Sequence, residues 1–239
     1  MKISLKLFLL ALTLFVSSGK LFAQSTQYSL WGAWFYNQKL SEHWGVGGDV
    51  QFRSANHADY LRNILIRPQV NYYFNKNKFA SAGYAYIATH GRTATDDKTF
   101  RPEHRSWEQF TLVHKVGANT AVSHRFRLEQ RYMGNTTNRN DSYFSQRFRY
   151  FVRAVVPFKK DSVFTKGHFL ALQNEVFANV QNKHKVNNHF FDQNRAYVAF
   201  GYRLNKGLDI EAGYLNQYTK QATSGVTNHV LQAVLYTRF

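Results

Sequence analysis

Arginines and carboxylates recur at alternate positions along this chain, and any chemistry it performs would have to start from that spacing. Between Ala121 and Tyr132 the odd positions carry Arg125, Arg127, Glu129 and Arg131, whereas the even positions carry Val122, Phe126, Leu128 and Tyr132. On a helix these four charges would spread around most of the circumference; on a strand they share one face. Arg147, Arg149 and Arg153 alternate with Phe148, Tyr150, Val152 and Ala154 in the same way, and Asp49, Gln51 and Arg53 alternate with Val50 and Phe52. With Arg67, Arg195 and Arg203, and with the carboxylates Glu175, Asp209 and Glu211, the polar faces hold about two arginines for each carboxylate. A guanidinium fork suits bidentate pairing with a carboxylate on a neighbouring strand, and one allowed register places Glu129 directly across from Arg147. Such a ladder serves either an anion (selectivity or an anionic ligand site) or a charge network that holds a scaffold rigid.

Other chemistry finds less support. Ser123 and His124 are adjacent in a strand and point to opposite faces, which separates the obvious nucleophile and base. His90, His104 and His114 lack metal-ligand spacing, and His184 and His189 lie beside Lys183 and Lys185, where they would meet solvent or lipopolysaccharide. There is no cysteine, which excludes disulfides, thiolate metal sites and a cysteine nucleophile. The expectation is a protein without catalytic constellation, metal or cofactor.

The elements that would carry the ladder are strands. Alternation or strand-like composition occupies residues 28–37, 43–53, 61–74, 79–90, 105–116, 121–132, 147–156, 167–180, 192–204, 208–219 and 229–239. Connections alternate in length: 75–78, 117–119 and 205–207 are tight, whereas 91–104, 134–141, 181–190 and 220–228 are long and polar, with 158–166 a longish exception on the tight side. Pro102 and Pro157 fall in connections, and Pro68, inside a strand, marks a bulge or a locally unpaired position.

No later stretch approaches the roughly 18 apolar residues of a spanning helix, and mean hydropathy is negative. A transmembrane barrel satisfies both, because only alternate residues face lipid. Residues 1–23 read as a cleaved secretory signal: Lys2 and Lys6 precede an apolar run from Leu7 to Val16, and Ala23 offers a cleavage point. Without that segment the formal charge falls from +17 to +14. In an exported protein this excess points to anionic lipid, lipopolysaccharide phosphates or an anionic solute, and away from nucleic acid.

Trp31, Trp34, Trp44, Tyr72, Tyr73, Phe74, Phe79 and Tyr218 sit near strand ends, as in the aromatic girdles of a barrel. The last strand carries Leu231, Ala233, Leu235 and Thr237 on the face of the terminal Phe239, which looks like the recognition signal of the outer-membrane assembly machinery. The expected architecture is one closed antiparallel transmembrane β-barrel over 24–239, in the outer membrane of a Gram-negative bacterium. The eleven strand segments should resolve to ten or twelve, since single-chain bacterial barrels have even numbers. At that size an arginine-rich lumen should be constricted.

The stretches Trp31-Gly-Ala-Trp34, Pro102-Glu-His-Arg-Ser-Trp-Glu-Gln109, His124-Arg-Phe-Arg-Leu-Glu-Gln-Arg131 and Phe191-Asp-Gln-Asn-Arg195, in their order and spacing, resemble a family of uncharacterised bacterial outer-membrane β-barrels defined as a domain of unknown function. The resemblance spans nearly the whole chain after residue 23. It implies location and architecture, and brings no activity, cofactor or catalytic residue. Two roles stay open for the barrel, a structural or envelope-interaction barrel and a narrow anion-preferring channel or small-solute transporter, with a lipid-modifying enzyme as a third.

Overall fold

Strict alternation needs a partner on each side of every strand, and the chain meets that need by closing on itself. The computed structural model describes residues 24–239 except 56, 94, 118, 137–140 and 160–162; the signal reading of residues 1–23 lies outside the described residues. Eleven strands follow in order: β1 (Gln24–Lys39), β2 (Trp44–Ala55), β3 (Tyr60–Asn75), β4 (Lys78–Arg92), β5 (Lys98–Val116), β6 (Thr120–Gly134), β7 (Ser142–Pro157), β8 (Gly167–Gln181), β9 (Phe191–Asn205), β10 (Leu208–Lys220) and β11 (Gly225–Arg238). Each pairs antiparallel with its chain neighbour, and β1 closes the barrel by pairing with β11 in parallel.

The expected even number is thereby corrected. With eleven up-and-down strands, the first and last run in the same direction, so closure without an open edge requires one parallel pair. That pair is long, running from Gln24 opposite Gly225 to Asn37 opposite Arg238. One end of the barrel therefore carries the connections 56–59, 93–97, 135–141, 182–190 and 221–224 together with Gln24; the other carries 40–43, 76–77, 117–119, 158–166 and 206–207 together with Phe239. We call them the loop end and the turn end.

Several strands run further than alternation alone implied. β4 and β5 continue to Arg92 and from Lys98, which shortens the expected 91–104 connection to five residues. Pro102 accordingly lies within β5, opposite Ala88 of β4, and the β5–β6 ladder starts only at Glu103, so the missing N–H breaks no pair on that side. Pro68 does interrupt its ladder: β3 pairs with β4 up to Ile66 and resumes at Gln69.

The two faces of the wall differ in an unusual direction. Leu30, Phe52, Ile66, Phe126, Phe148, Val198 and Leu231 project outward and are exposed, whereas Arg127, Glu129, Arg149, Glu175 and Glu211 are buried inside. The interior holds apolar layers as well. Trp31, Phe169, Ala171, Tyr197, Leu215 and Val230 form one cluster, and Leu65, Ala85, Ile87 and Trp107 another. Large rings fit because a glycine stands directly opposite them: Gly201 faces Phe169 and Gly83 faces Trp107. A Cβ on Gly201 would stand far inside contact distance of Phe169 Cζ. Gly201→Leu is expected to lower stability by about 1–3 kcal/mol through overpacking. The check is the urea midpoint of protein refolded in detergent, and an unchanged midpoint would mean that the ring is free to swing away.

Candidate functional site

Every arginine that the alternation placed on a polar face does point inward, but the structure divides them into two kinds. Most are tied to carboxylates. Glu129 of β6 accepts from Arg147 at 2.7 Å and Arg149 at 2.5 Å, with Arg105 at 3.5 Å and Arg127 at 4.0 Å. The register expected from sequence is present, Glu129 standing opposite Arg147. Glu175 binds Arg149 and Arg125, each at 2.7 Å. Further pairs are Arg153 with Glu211 at 2.5 Å, Arg203 with Asp209 at 2.7 Å, Arg67 with Asp49 at 2.7 Å and Arg131 with Glu103 at 2.7 Å. Arg127 lies 3.9 Å over the Trp107 ring and donates to Gln109, from which amide and hydroxyl groups continue through Ser81 and Asn71 to Asn37. Buried charges of both signs thus satisfy one another, between neighbouring strands and, for Arg125 with Glu175 and Arg153 with Glu211, across the lumen from β6 to β8 and from β7 to β10.

Arg53 and Arg195 are different. Among the described residues neither reaches a carboxylate within ion-pair distance. Each is held instead by a neutral amide two residues back on its own strand: Arg53 donates to Gln51 Oε1 at 2.6 and 3.1 Å, and Gln193, with its amide oriented to suit its neighbours, accepts from Arg195 at 2.6 and 3.0 Å. Both guanidinium heads lie against Trp31, at 4.1 Å and 5.3 Å from the ring centre. The girdle position expected for Trp31 is therefore corrected, as is that of Tyr73, whose hydroxyl meets the inward Asn37. The odd number of Trp31 gives it the inward face of β1, with Ser29, while Trp34, Trp44, Tyr72 and Phe74 do face outward.

These groups form the inner wall of a cavity of about 310 Å³ that reaches the exposed rim residues Arg62 and Gln221 at the loop end. Nine arginines and two carboxylates line it, and the carboxylates are already engaged, Glu103 by Arg105 and Arg131 and Asp192 by Arg147. The 182–190 connection folds across part of the mouth. Val186 lines the cavity, and Asn187 is fixed by bonds to Asp192 and to the Lys220 carbonyl. His189 ties the same connection to the Ala222 carbonyl, whereas His184 is exposed. Toward the turn end the lumen is filled. Phe164, from the longish 158–166 connection, turns inward to pack edge-on to Phe169 and under Arg203.

The family model described as "Protein of unknown function (DUF2490)" matches residues 28–228, most of the chain. The chain belongs to this family. An uncharacterised protein of Methylorubrum extorquens is 28% identical over 194 residues, covering 80% of this chain and 79% of the relative. No solved structure matches. The family stretch contains Trp31, Arg53, Glu129 and Arg195, and with them every residue that lines the cup except Gln27.

The remaining sequence candidates are not brought together. Ser123 faces the lumen near the Arg153 carbonyl, while His124 faces outward, stacked on His114 and hydrogen-bonded to Tyr150. His90 packs on Phe100, and His104 on Tyr84 and Tyr86. Sequence reasoning missed Glu103, Arg105 and Asp192 in the network, Trp31 and Gln193 in the cup, and Gln51 as the support of Arg53. A signal existed for the first two: the odd-position pattern of Trp107 and Gln109 runs backward through Arg105 and Glu103.

Proposed function

We propose that this chain is a bacterial outer-membrane β-barrel that is closed to through-flow, a structural or envelope-interaction barrel whose arginine-lined cup opens at the external, loop end. The single observation that carries the reading is the inversion of faces. Glu129 is 1% exposed and Arg149 3%, while Val198 is 43% and Leu231 63% exposed on the outer wall. In water that arrangement wastes apolar burial and desolvates charge; in a bilayer it places apolar side chains against acyl chains and leaves no unpaired backbone edge. The secretory pattern of residues 1–23 supplies a route to that membrane. Closure is supported by the packing of the lumen among the described residues, where Trp107, Glu129 and Phe169 are each buried at 1% exposure and Phe164 packs against Phe169.

In a planar bilayer the refolded chain is expected to give no ohmic current, to shift in mobility between heated and unheated detergent gels, and to fractionate with outer membranes. A steady anion-selective current that disappears in Arg125→Ala and Arg127→Ala would overturn closure and favour the channel reading. Recovery from the soluble periplasmic fraction would overturn the membrane assignment itself.

A further inference from the structure

We propose that the cup is a binding site for a small phosphorylated, hydroxyl-rich solute, with the phosphate seated between Arg53, Arg195 and Trp31. The barrel holds its inward arginines in two ways. Where the barrel needs a neutral, rigid wall it uses a carboxylate, as in Arg67 with Asp49 and Arg149 with Glu175. At Arg53 and Arg195 it uses the carbonyl of Gln51 and of Gln193, which fixes the fork without cancelling its charge. Each guanidinium gives Nε and Nη2 to its glutamine and keeps Nη1 outside that bond, and although Arg195 stands across the ladder from Glu175 neither group is ion-paired among the described residues, so the two together offer donors beside one indole ring to a tetrahedral dianion.

A second observation is independent of charge. The Trp31 indole N–H and the Arg131 Nη1 are buried and have no acceptor among the described residues, although both side chains line the cup. Donors enclosed in this way are costly unless an acceptor meets them, and an anion's oxygens would serve. The cup is also larger than a bare phosphate needs, at about 310 Å³. Beside Arg53 and Arg195 its wall carries the amides of Asn63 and Gln217, their ladder partners, and of Asn228, groups that both donate and accept, as a ring of hydroxyls requires. Phosphate therefore goes to Arg53 and Arg195 and the hydroxylated part to these amides.

The proposal rests on the external placement of the cup only for its access to solute; binding itself is measured on protein refolded in detergent, apart from conductance and fractionation. Calorimetric titration with glucose 6-phosphate should show saturable one-site binding, weaker for inorganic phosphate and absent for glucose. Arg53→Gln combined with Arg195→Gln should weaken the glucose 6-phosphate affinity at least about tenfold, whereas Lys76→Gln on an exposed turn should leave it unchanged. If the double variant lacks the heat-dependent gel shift of a folded barrel, Arg53→Lys and Arg195→Lys take its place, since each keeps the charge and removes the fork; each should weaken binding about threefold or more. Purified lipopolysaccharide is then added to the complex: displacement assigns the site to a lipid-borne sugar phosphate, and no displacement to a free solute. Absence of saturable binding, or equal affinity in these variants and the unaltered protein, overturns the site while leaving the closed-barrel reading to its own test. A conducting barrel that still binds overturns the closed-barrel reading and leaves the site standing.

Discussion

Glu129→Leu is expected to destabilise the barrel by about 3–5 kcal/mol, the loss typical of removing one partner from a buried ion pair. The side chain is sealed at 1% exposure, and its two oxygens meet Arg147 and Arg149 of β7, Arg105 of β5 and Arg127 of its own strand. Leucine fills similar volume, so the effect isolates charge from packing. Arg147 keeps Asp192, Arg149 keeps Glu175 and Arg105 keeps Glu103, but Arg127 is left with the Gln109 amide and the Trp107 ring alone. Urea unfolding of the detergent-refolded protein gives the loss directly. Adding Arg127→Met to Glu129→Leu should recover part of it, because the cation left without a counter-charge is then removed as well. A loss below about 1 kcal/mol would indicate that these guanidinium groups are hydrated and that the network contributes little.

The second large effect is all-or-none and concerns direction. The chain has no cysteine, so single cysteines can be placed and labelled without background. Ser25→Cys and Thr95→Cys should react together with a membrane-impermeant maleimide on intact cells, whereas Asn77→Cys should react only after the membrane is opened. Ser25 lies opposite Val226 in the parallel β1–β11 pair, hence at the loop end with Thr95; Asn77 lies in the β3–β4 turn at the other end. In an even-stranded up-and-down barrel the chain would enter and leave at the same end, and Ser25 would label with Asn77. Joint labelling of Ser25 and Thr95 from the inside alone would keep the parallel closure and reverse the barrel in the membrane.

The cup and the charge network differ in how far a linear reading could reach them. Arg125, Arg127, Glu129, Arg131, Arg147 and Arg149 could be placed on one face because side-chain direction in a strand depends only on position parity. Glu129 opposite Arg147 was accessible for a related reason: a single hairpin connection limits the registers two adjacent strands can take. Trp31 had the same parity signal, yet its place near a strand end made a girdle role equally consistent. The glutamines that hold Arg53 and Arg195 share the polar parity of their strands but carry no charge, so nothing in the sequence marks them as the partners of these arginines.

The amino-acid sequence by itself determined an all-β chain of eleven alternating segments, charged on one side and apolar on the other, because period-two alternation is a local property of the extended backbone. Only the tertiary structure decided that the wall closes through a parallel β1–β11 pair, that β5 reaches back to bring Glu103 and Arg105 into the network, and that Arg53 and Arg195 meet at Trp31 without a carboxylate. These are facts about which strands stand side by side and in what register around a closed ring, and such contacts join residues far apart in the chain.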